Sequence, residues 1–271
     1  MEARSRTVPR RTGGVAAVGV ALTCSAAVLV GSMAHAQRGE PEIAAPSAAD
    51  LAERRDPRVP ASTPNISGVW FTRGYQRRIR PMDGGETPWL PWTKAAFDRR
   101  EAAEKAGAPL FDPTASCLPS GIPRLIAAPY PIEIVQTPDT TVILYETHHL
   151  FRLIHMAQPH PRAVKPSFMG HSTGRWEGDT LVVDTIGLTR LTQIDEAGTL
   201  HSDALHVVER IRKTGPKTLE DVFTIDDPKA FARPWTAKRE FDWRPDVRLM
   251  EYVCEENNRN APGASGVLKN F

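Results

Sequence analysis

The feature that most limits how this chain can fold is a pair of β-hairpins. Residues 170–185, GHSTGRWEGDTLVVDT, form two β-type runs separated by the turn residues EGD at 177–179. Residues 204–226, ALHVVERIRKTGPKTLEDVFTID, repeat this arrangement around TGP at 214–216. Further short β-type runs with turn signals lie on both sides. Strands at near-regular spacing, joined by short turns, predict a mainly β fold, an antiparallel up-and-down barrel.

The rest of the barrel domain contains one convincing helix and one irregular segment. Residues 91–107, PWTKAAFDRREAAEKAG, favour a helix, with Thr93 as the expected cap and Gly107 at its end. A proline-rich stretch, residues 111–131, then predicts an ordered but irregular segment. The other predicted strands are IEIVQTP, TTVILYETHHLFRLIHM, RPWTAKREFDWRP and RLMEYVCEE.

The N-terminal residues have the pattern of a targeting segment. Four arginines precede an apolar run over residues 15–30, and Ala34-His35-Ala36 follows it. This pattern predicts a secretory signal peptide, residues 1–36, cleaved after Ala36. Arg10-Arg11 leaves both the general and the twin-arginine export routes open. Residues 37–64 predict a flexible linker, and residues 65–271 a single β-barrel domain.

Export changes how the charge is interpreted. Residues 1–36 hold four arginines and one glutamate, so without them the net charge falls from +2 to −1. With no basic stripe, nucleic acid is not expected as a partner, nor is stable membrane insertion after cleavage. We expect a periplasmic or secreted protein. There, Cys117 and Cys254 predict a disulfide, and a reactive cysteine is the alternative.

Several charged residues fall on strand faces that are otherwise apolar. Strand alternation places Asp184 beside Val182 and Ile186, and it places Glu209 and Arg239 on core faces. If residues 142–156 form one strand, Glu146, His148 and Arg152 share a face. Unpaired buried charge costs several kcal/mol, so two interpretations stay open. One is a structural ion-pair network, such as Glu209 with Arg239, and the other is a charged pocket inside the barrel.

The pocket interpretation supplies the candidate site. His171 and His206 each lie beside a strand with a candidate carboxylate, and a histidine–carboxylate pair can move protons near neutral pH. The candidate catalytic residues are His171, His206, Glu146, Asp184 and Glu209. The candidate substrate-binding residues are Arg152, Arg239, Tyr145, Trp70, Trp176 and His148. The chain has no HExxH, CxxC or HxH spacing, so no metal site and no cofactor are predicted, and His160, between two prolines, is assigned to a loop.

Two resemblances bear on the fold. The segment SGVW, with Gly68 and Trp70, followed later by GDTLVV, resembles the lipocalin or calycin pattern, which implies a barrel whose tryptophan closes one end. The motifs GHSTGRWEGDTLVVDT, HSDALHVVERI and MEYVCEENN resemble a widespread uncharacterised family of secreted bacterial proteins. That second resemblance covers about residues 67–257 and implies a shared fold and export, but no activity.

These observations favour a protein that acts on a small organic molecule, aromatic or carbonyl-containing, by proton transfer. A lyase, isomerase or hydrolase reaction would fit. The alternatives are a carrier of a small hydrophobic ligand, with the same barrel and no catalysis, and a structural envelope protein. The sequence alone leaves enzyme and carrier open.

Overall fold

The computed structural model describes residues 55–254, which form a closed barrel of nine strands. Neighbouring strands in the barrel are also neighbours along the chain, and the last strand pairs with the first. The prediction of a mainly β, up-and-down, lipocalin-like barrel is therefore confirmed. Within the described residues, no helix has the length and apolar character needed to cross a bilayer.

The strands and the helix are numbered in chain order. They are β1 (Gly68–Thr72), α1 (Pro91–Lys105), β2 (Pro131–Gln136), β3 (Thr140–Tyr145), β4 (Leu150–Met156), β5 (His171–Glu177), β6 (Thr180–Ile186), β7 (His206–Gly215), β8 (Thr218–Asp226) and β9 (Trp235–Trp243). Both predicted hairpins, β5–β6 and β7–β8, are present.

One pair of strands departs from the antiparallel prediction. Strands β4 and β5 are parallel, and they pair only over Ile154–Met156 and Ser172–Gly174. A parallel pair needs a connection that returns to the same end of the sheet, which residues 157–170 provide. This connection was read from sequence only as a loop. Its path matters because it carries His160 over the outer surface.

Strand alternation builds the core. In β8 and β9, buried residues alternate with more exposed ones, and the buried set includes Leu219, Phe223, Trp235 and Phe241. Aliphatic and aromatic side chains from the inner face of every strand fill the barrel. The core therefore occupies the lumen, and any inward polar residue lies among apolar side chains.

The long run TTVILYETHHLFRLIHM is not one strand. It divides into β3 and β4 at a short 3-10 turn, Thr147–His149, in which His148 and His149 have φ values of 57° and 49°. The turn changes which residues face the core: the buried residues are odd-numbered in β3 and even-numbered in β4. Sorting residues 142–156 as one strand was therefore wrong, and Glu146, His148 and Arg152 do not share a face.

The helix is present with nearly its predicted bounds, but it begins differently. Leu90 is the N-cap residue and Pro91 occupies the first turn, whereas Thr93 does not cap the helix. The buried Thr93 hydroxyl instead donates to the carbonyl oxygens of Leu90 and Ala230. The hydroxyl thus ties the helix to the barrel.

The two ends of the described chain pack against the barrel. Residues 55–64, predicted as the end of the linker, are placed there by a bridge between Arg55 and Gln136 and by the buried Val59. The predicted signal peptide and the linker up to residue 54 lie outside the described residues. At the other end, residues 248–253 are not the predicted last strand, although Cys254 forms the predicted disulfide with Cys117.

Candidate functional site

The charges inside the barrel form a paired network. Arg152 donates from both terminal nitrogens to the Glu209 carboxylate, one of these bonds measuring 2.9 Å. Its remaining donors reach the hydroxyls of Ser172, at 3.0 Å, and Thr185, at 2.7 Å. The side chains of Arg152 and Glu209 are each only 1% exposed. The predicted ion-pair network therefore exists, but the partner of Glu209 is Arg152 and not Arg239.

A second acid, Asp221, completes the network and was missed from the sequence. Burial, and then the charge of Glu209, raise the pKa of Asp221 well above its ordinary value. The protonated form of Asp221 is therefore favoured relative to an exposed aspartate, and its buried Oδ1 has no hydrogen-bond partner among the described residues. Burial also raises the pKa of Tyr145, against the opposing charge of Arg152.

The interior next to these acids is nearly full. The cavity lined by Tyr145, Glu209 and Asp221 has a volume of about 20 Å³. That volume holds about one water molecule, whereas small-molecule sites typically measure about 300–1,000 Å³. The expected charged pocket inside the barrel is therefore absent from this region, and Glu209, Arg152 and Tyr145 serve the packed interior.

A different cluster lies on the outer face of the barrel. The register places His155, Thr173 and Asp184 side by side on β4, β5 and β6. His171 on β5 and His206 on β7 each lie two positions along their strands from this row, so they share the outer face. The loop residue His160 covers them. We call His155, His160, His171, His206 and Asp184 the histidine cluster. The prediction that Asp184 faces the core was wrong, since its side chain is 30% exposed on the outer face.

Hydrogen bonds join the cluster into a chain. One oxygen of Asp184 lies 2.9 Å from His160 Nε2 and 3.0 Å from His206 Nε2. The other ring nitrogen of His160, Nδ1, lies 2.8 Å from His171 Nδ1. His155 stacks on His171, with ring centroids 4.9 Å apart and planes 14° from parallel.

This network assigns the proton positions on the rings. Burial alone would raise the pKa of Asp184, but the hydrogen bonds from His160 and His206 outweigh it and lower that pKa, so the carboxylate is ionised at neutral pH. An ionised carboxylate only accepts, so His160 carries its proton on Nε2. In a neutral His160 ring, Nδ1 then carries no proton and accepts from His171 Nδ1. As a result His171 Nε2 carries no proton in the neutral ring.

The electrostatics keep His171 neutral. Burial, and then the charges of His155 and His160, lower the pKa of His171 below its ordinary value. A neutral histidine with one bare nitrogen is a general base. The cluster therefore presents a base whose tautomer is set, through His160, by Asp184.

A groove runs along the outer surface beside the histidine cluster. Its volume is about 340 Å³, which lies within the range of small-molecule sites. Residues 149–153 and His155 form one wall, and residues 169–172 form the other. His155 and His171 belong to both the groove and the cluster, so a molecule in the groove would lie against the base.

The remaining predicted residues are not brought to the cluster. Glu146 accepts a hydrogen bond from the Met250 N–H, and His148 packs against Tyr252, so both hold the C-terminal segment. The inward Arg239 donates to the Gly74 carbonyl. Trp70 is buried and donates to the Ile66 carbonyl, and Trp176 packs partly buried against the core.

Two members of the histidine cluster, His155 and His160, were not among the predicted site residues. The alternation in β4 was the available signal for His155, because the odd-numbered residues of this strand face outward. Phe151 and Leu153 have the same orientation. No local signal existed for His160, because only the crossover between the parallel strands brings it to Asp184. Within the described residues, no three His, Cys, Asp or Glu side chains are arranged to hold a metal ion.

Comparisons with known proteins add little. No family model and no curated protein matches the chain. Among solved structures, it is similar to a protein described as "REP1-NXSQ fatty acid transporter", with 11% sequence identity and a TM-score of 0.33 over 68% of this chain and 98% of that one. A likeness this weak supports no statement about function.

Proposed function

We propose that the protein catalyses proton transfer on a small organic molecule bound in the outer groove, with His171 as the general base. The hydrogen-bonded chain from Asp184 through His160 to His171 carries this proposal. It leaves His171 Nε2 without a proton, and His171 lines a groove large enough for a ligand. A lyase, isomerase or hydrolase reaction would use this step.

Each member of the chain has a distinct part in the step. His171 Nε2 takes a proton from the bound molecule, and the ring becomes an imidazolium. The proton on His171 Nδ1 then moves along the 2.8 Å contact to His160 Nδ1. The positive charge now lies on His160, next to the ionised Asp184, which stabilises it. Return of a proton by the reverse path restores the neutral base.

The charged residues of the barrel interior have a structural function in this proposal. Arg152 and Glu209 satisfy one another inside a lumen with about 20 Å³ of space beside them. A carrier that holds a hydrophobic ligand in the lumen would need that packing to open. The groove is therefore the better location for the ligand.

We also propose that the protein works outside the cytoplasm, in the periplasm or as a secreted protein. The disulfide between Cys117 and Cys254 supports this location, since such bonds persist in oxidising compartments. The predicted signal peptide would provide the route.

The proposed function is tested by solvent deuterium exchange. The protein is incubated in heavy water with a panel of aldehydes, ketones and aromatic carbonyl compounds, and proton NMR follows the loss of their exchangeable C–H signals. We expect exchange into at least one compound. His171→Asn removes the base, and Asp184→Asn removes the carboxylate that fixes the tautomer of the base. Each substitution should therefore slow the exchange by about 100-fold or more.

The matched control is Asp246→Asn, because Asp246 is an exposed carboxylate beyond β9 that pairs with Arg244. This variant should keep the full exchange rate. Exchange that persists in His171→Asn would contradict the proposal, as would a panel in which the protein exchanges no compound.

A further inference from the structure

One edge of β4 remains open in the wall of the barrel. On one side, β4 pairs with β3 over all positions from Leu150 to His155. On the other side, its pairing with β5 begins only at Ile154. In the register of the described strands, β5 therefore has no residue opposite Phe151.

The main-chain groups of Phe151 point to this open side. The Met156 N–H donates to the Asp139 carbonyl, at 2.9 Å, on the β3 side. The Ala157 N–H donates to the Gly174 carbonyl, at 2.7 Å, on the β5 side. In an antiparallel pair the direction alternates with each residue, so even-numbered residues of β4 bond to β3. The N–H and C=O of Phe151 thus face the groove.

The groove offers apolar surface next to these polar groups. Phe151 and Leu153 are 60% and 42% exposed, and they are the exposed large hydrophobic residues of the described strands. The opposite wall includes Gly170, with φ +65°, where a Cβ atom would lie 2.6 Å from the Ile186 carbonyl oxygen. This position must remain glycine, because a side chain there would collide with β6 and displace this wall of the groove.

We propose that the groove recognises a short peptide-like compound, in which two successive secondary amides flank an apolar group. In an extended compound of this kind, the C=O of the first amide and the N–H of the second point to the same side, and together they complement the N–H and C=O of Phe151. Its apolar group would pack on Phe151 and Leu153. This inference rests on the proposed function and names the substrate class of the same site.

The residues that line the groove determine where a bound amide lies relative to His171. The groove continues from Phe151 towards His155 and His171, which lie at its end beside the histidine cluster. An amide held by Phe151 would therefore place the adjoining part of the molecule against His171. Binding and proton transfer then depend on different residues, and they can be tested separately.

The experiment compares two probes and two variants by calorimetry or ligand-observed NMR. The probes are N-acetyl-leucine methylamide and the analogue in which the methylamide N–H is replaced by an ester oxygen. The variants are Phe151→Ala and Phe151→Pro. Both variants remove the aromatic ring, but only proline removes the N–H. Proline is tolerated on an open edge because no ladder bond is lost there, and a melting curve checks the fold.

We expect the amide probe to bind and the ester to bind about 5–10-fold more weakly, which corresponds to one lost hydrogen bond of about 1 kcal/mol. Phe151→Pro should weaken amide binding by a similar further factor relative to Phe151→Ala. Equal binding of amide and ester by the wild-type protein would overturn the inference, and this comparison does not depend on any variant folding. Absence of amide binding would overturn it too.

His171→Asn separates this inference from the proposed function. It should retain amide binding while losing deuterium exchange. If the amide does not bind but other compounds still exchange through His171, the substrate class is wrong and the function stands. If the amide binds but exchange is the same with and without His171, the function fails and the binding site remains.

Discussion

Replacing Arg152 with methionine should lower the free energy of unfolding by about 3–5 kcal/mol. Methionine fills most of the space of the arginine stem, so the loss comes from the charge. Glu209 would remain buried at 1% exposure, with its bidentate partner gone and with a second buried acid, Asp221, close to it. The hydroxyls of Ser172 and Thr185 would lose their donor as well. Urea unfolding followed by circular dichroism measures the change.

The control for this prediction is Arg210→Met. Arg210 lies on β7 next to Glu209 and pairs with Glu177 on the exposed surface at 2.9 Å. Exposed pairs contribute about 0–1 kcal/mol, so this variant should be nearly as stable as the wild-type protein. Replacing Arg152 with Met and Glu209 with Leu together should recover much of the lost stability. Equal losses in Arg152→Met and Arg210→Met would contradict the account of the interior.

The second large effect is expected from the disulfide. Replacing both Cys117 and Cys254 with serine should lower the free energy of unfolding by up to about 5 kcal/mol. The bond closes a loop with a sequence separation of 137, and so long a loop restricts the unfolded chain strongly. The same denaturant titration, run on the oxidised protein and on the double variant, measures the difference.

The wild-type protein under reducing conditions serves as the control, because it loses the same cross-link without a substitution. It should unfold at the same denaturant concentration as the double variant. A double variant as stable as the oxidised protein would show that the bond does not restrict the unfolded chain in the way the loop length implies.

The barrel could be predicted because its signals are local. Turn residues such as Gly178 mark the hairpins, and alternation in β7 to β9 correctly places Glu209 and Arg239 inside. In β6 the same rule could not choose a face, since four successive residues, Thr180–Val183, are all buried. An apolar neighbour such as Val182 therefore did not identify the core side, and Asp184 was assigned to the wrong face.

The site could not be predicted because it depends on two non-local features. The turn at Thr147–His149 interrupts a run that looks like one strand, and the left-handed conformations of His148 and His149 have no signal in the sequence. The parallel pairing of β4 with β5 then sends residues 157–170 across the outer surface. Only that path brings His160 between His171 and Asp184.

We infer that His171, His160, His206 and Asp184 act as one connected unit on the outer face. Burial, followed by the charges of His155 and His160, lowers the pKa of His171, so His171 should titrate below the ordinary value of 6.5. Because the pKa is lowered on folding, this group contributes stability above about pH 6.5 that is lost as the pH falls.

The most direct test is nitrogen-15 NMR of the histidine side chains across the pH range 5–8, in the wild-type protein and in Asp184→Asn. We predict that His171 titrates below 6.5 in the wild-type protein. In the variant, the ring nitrogens of His160, His171 and His206 should all change their shifts, while the buried His201, which bonds to Thr192 and Ser202, stays unchanged. Histidines that titrate independently, with rings that do not respond to the loss of Asp184, would contradict the connected site.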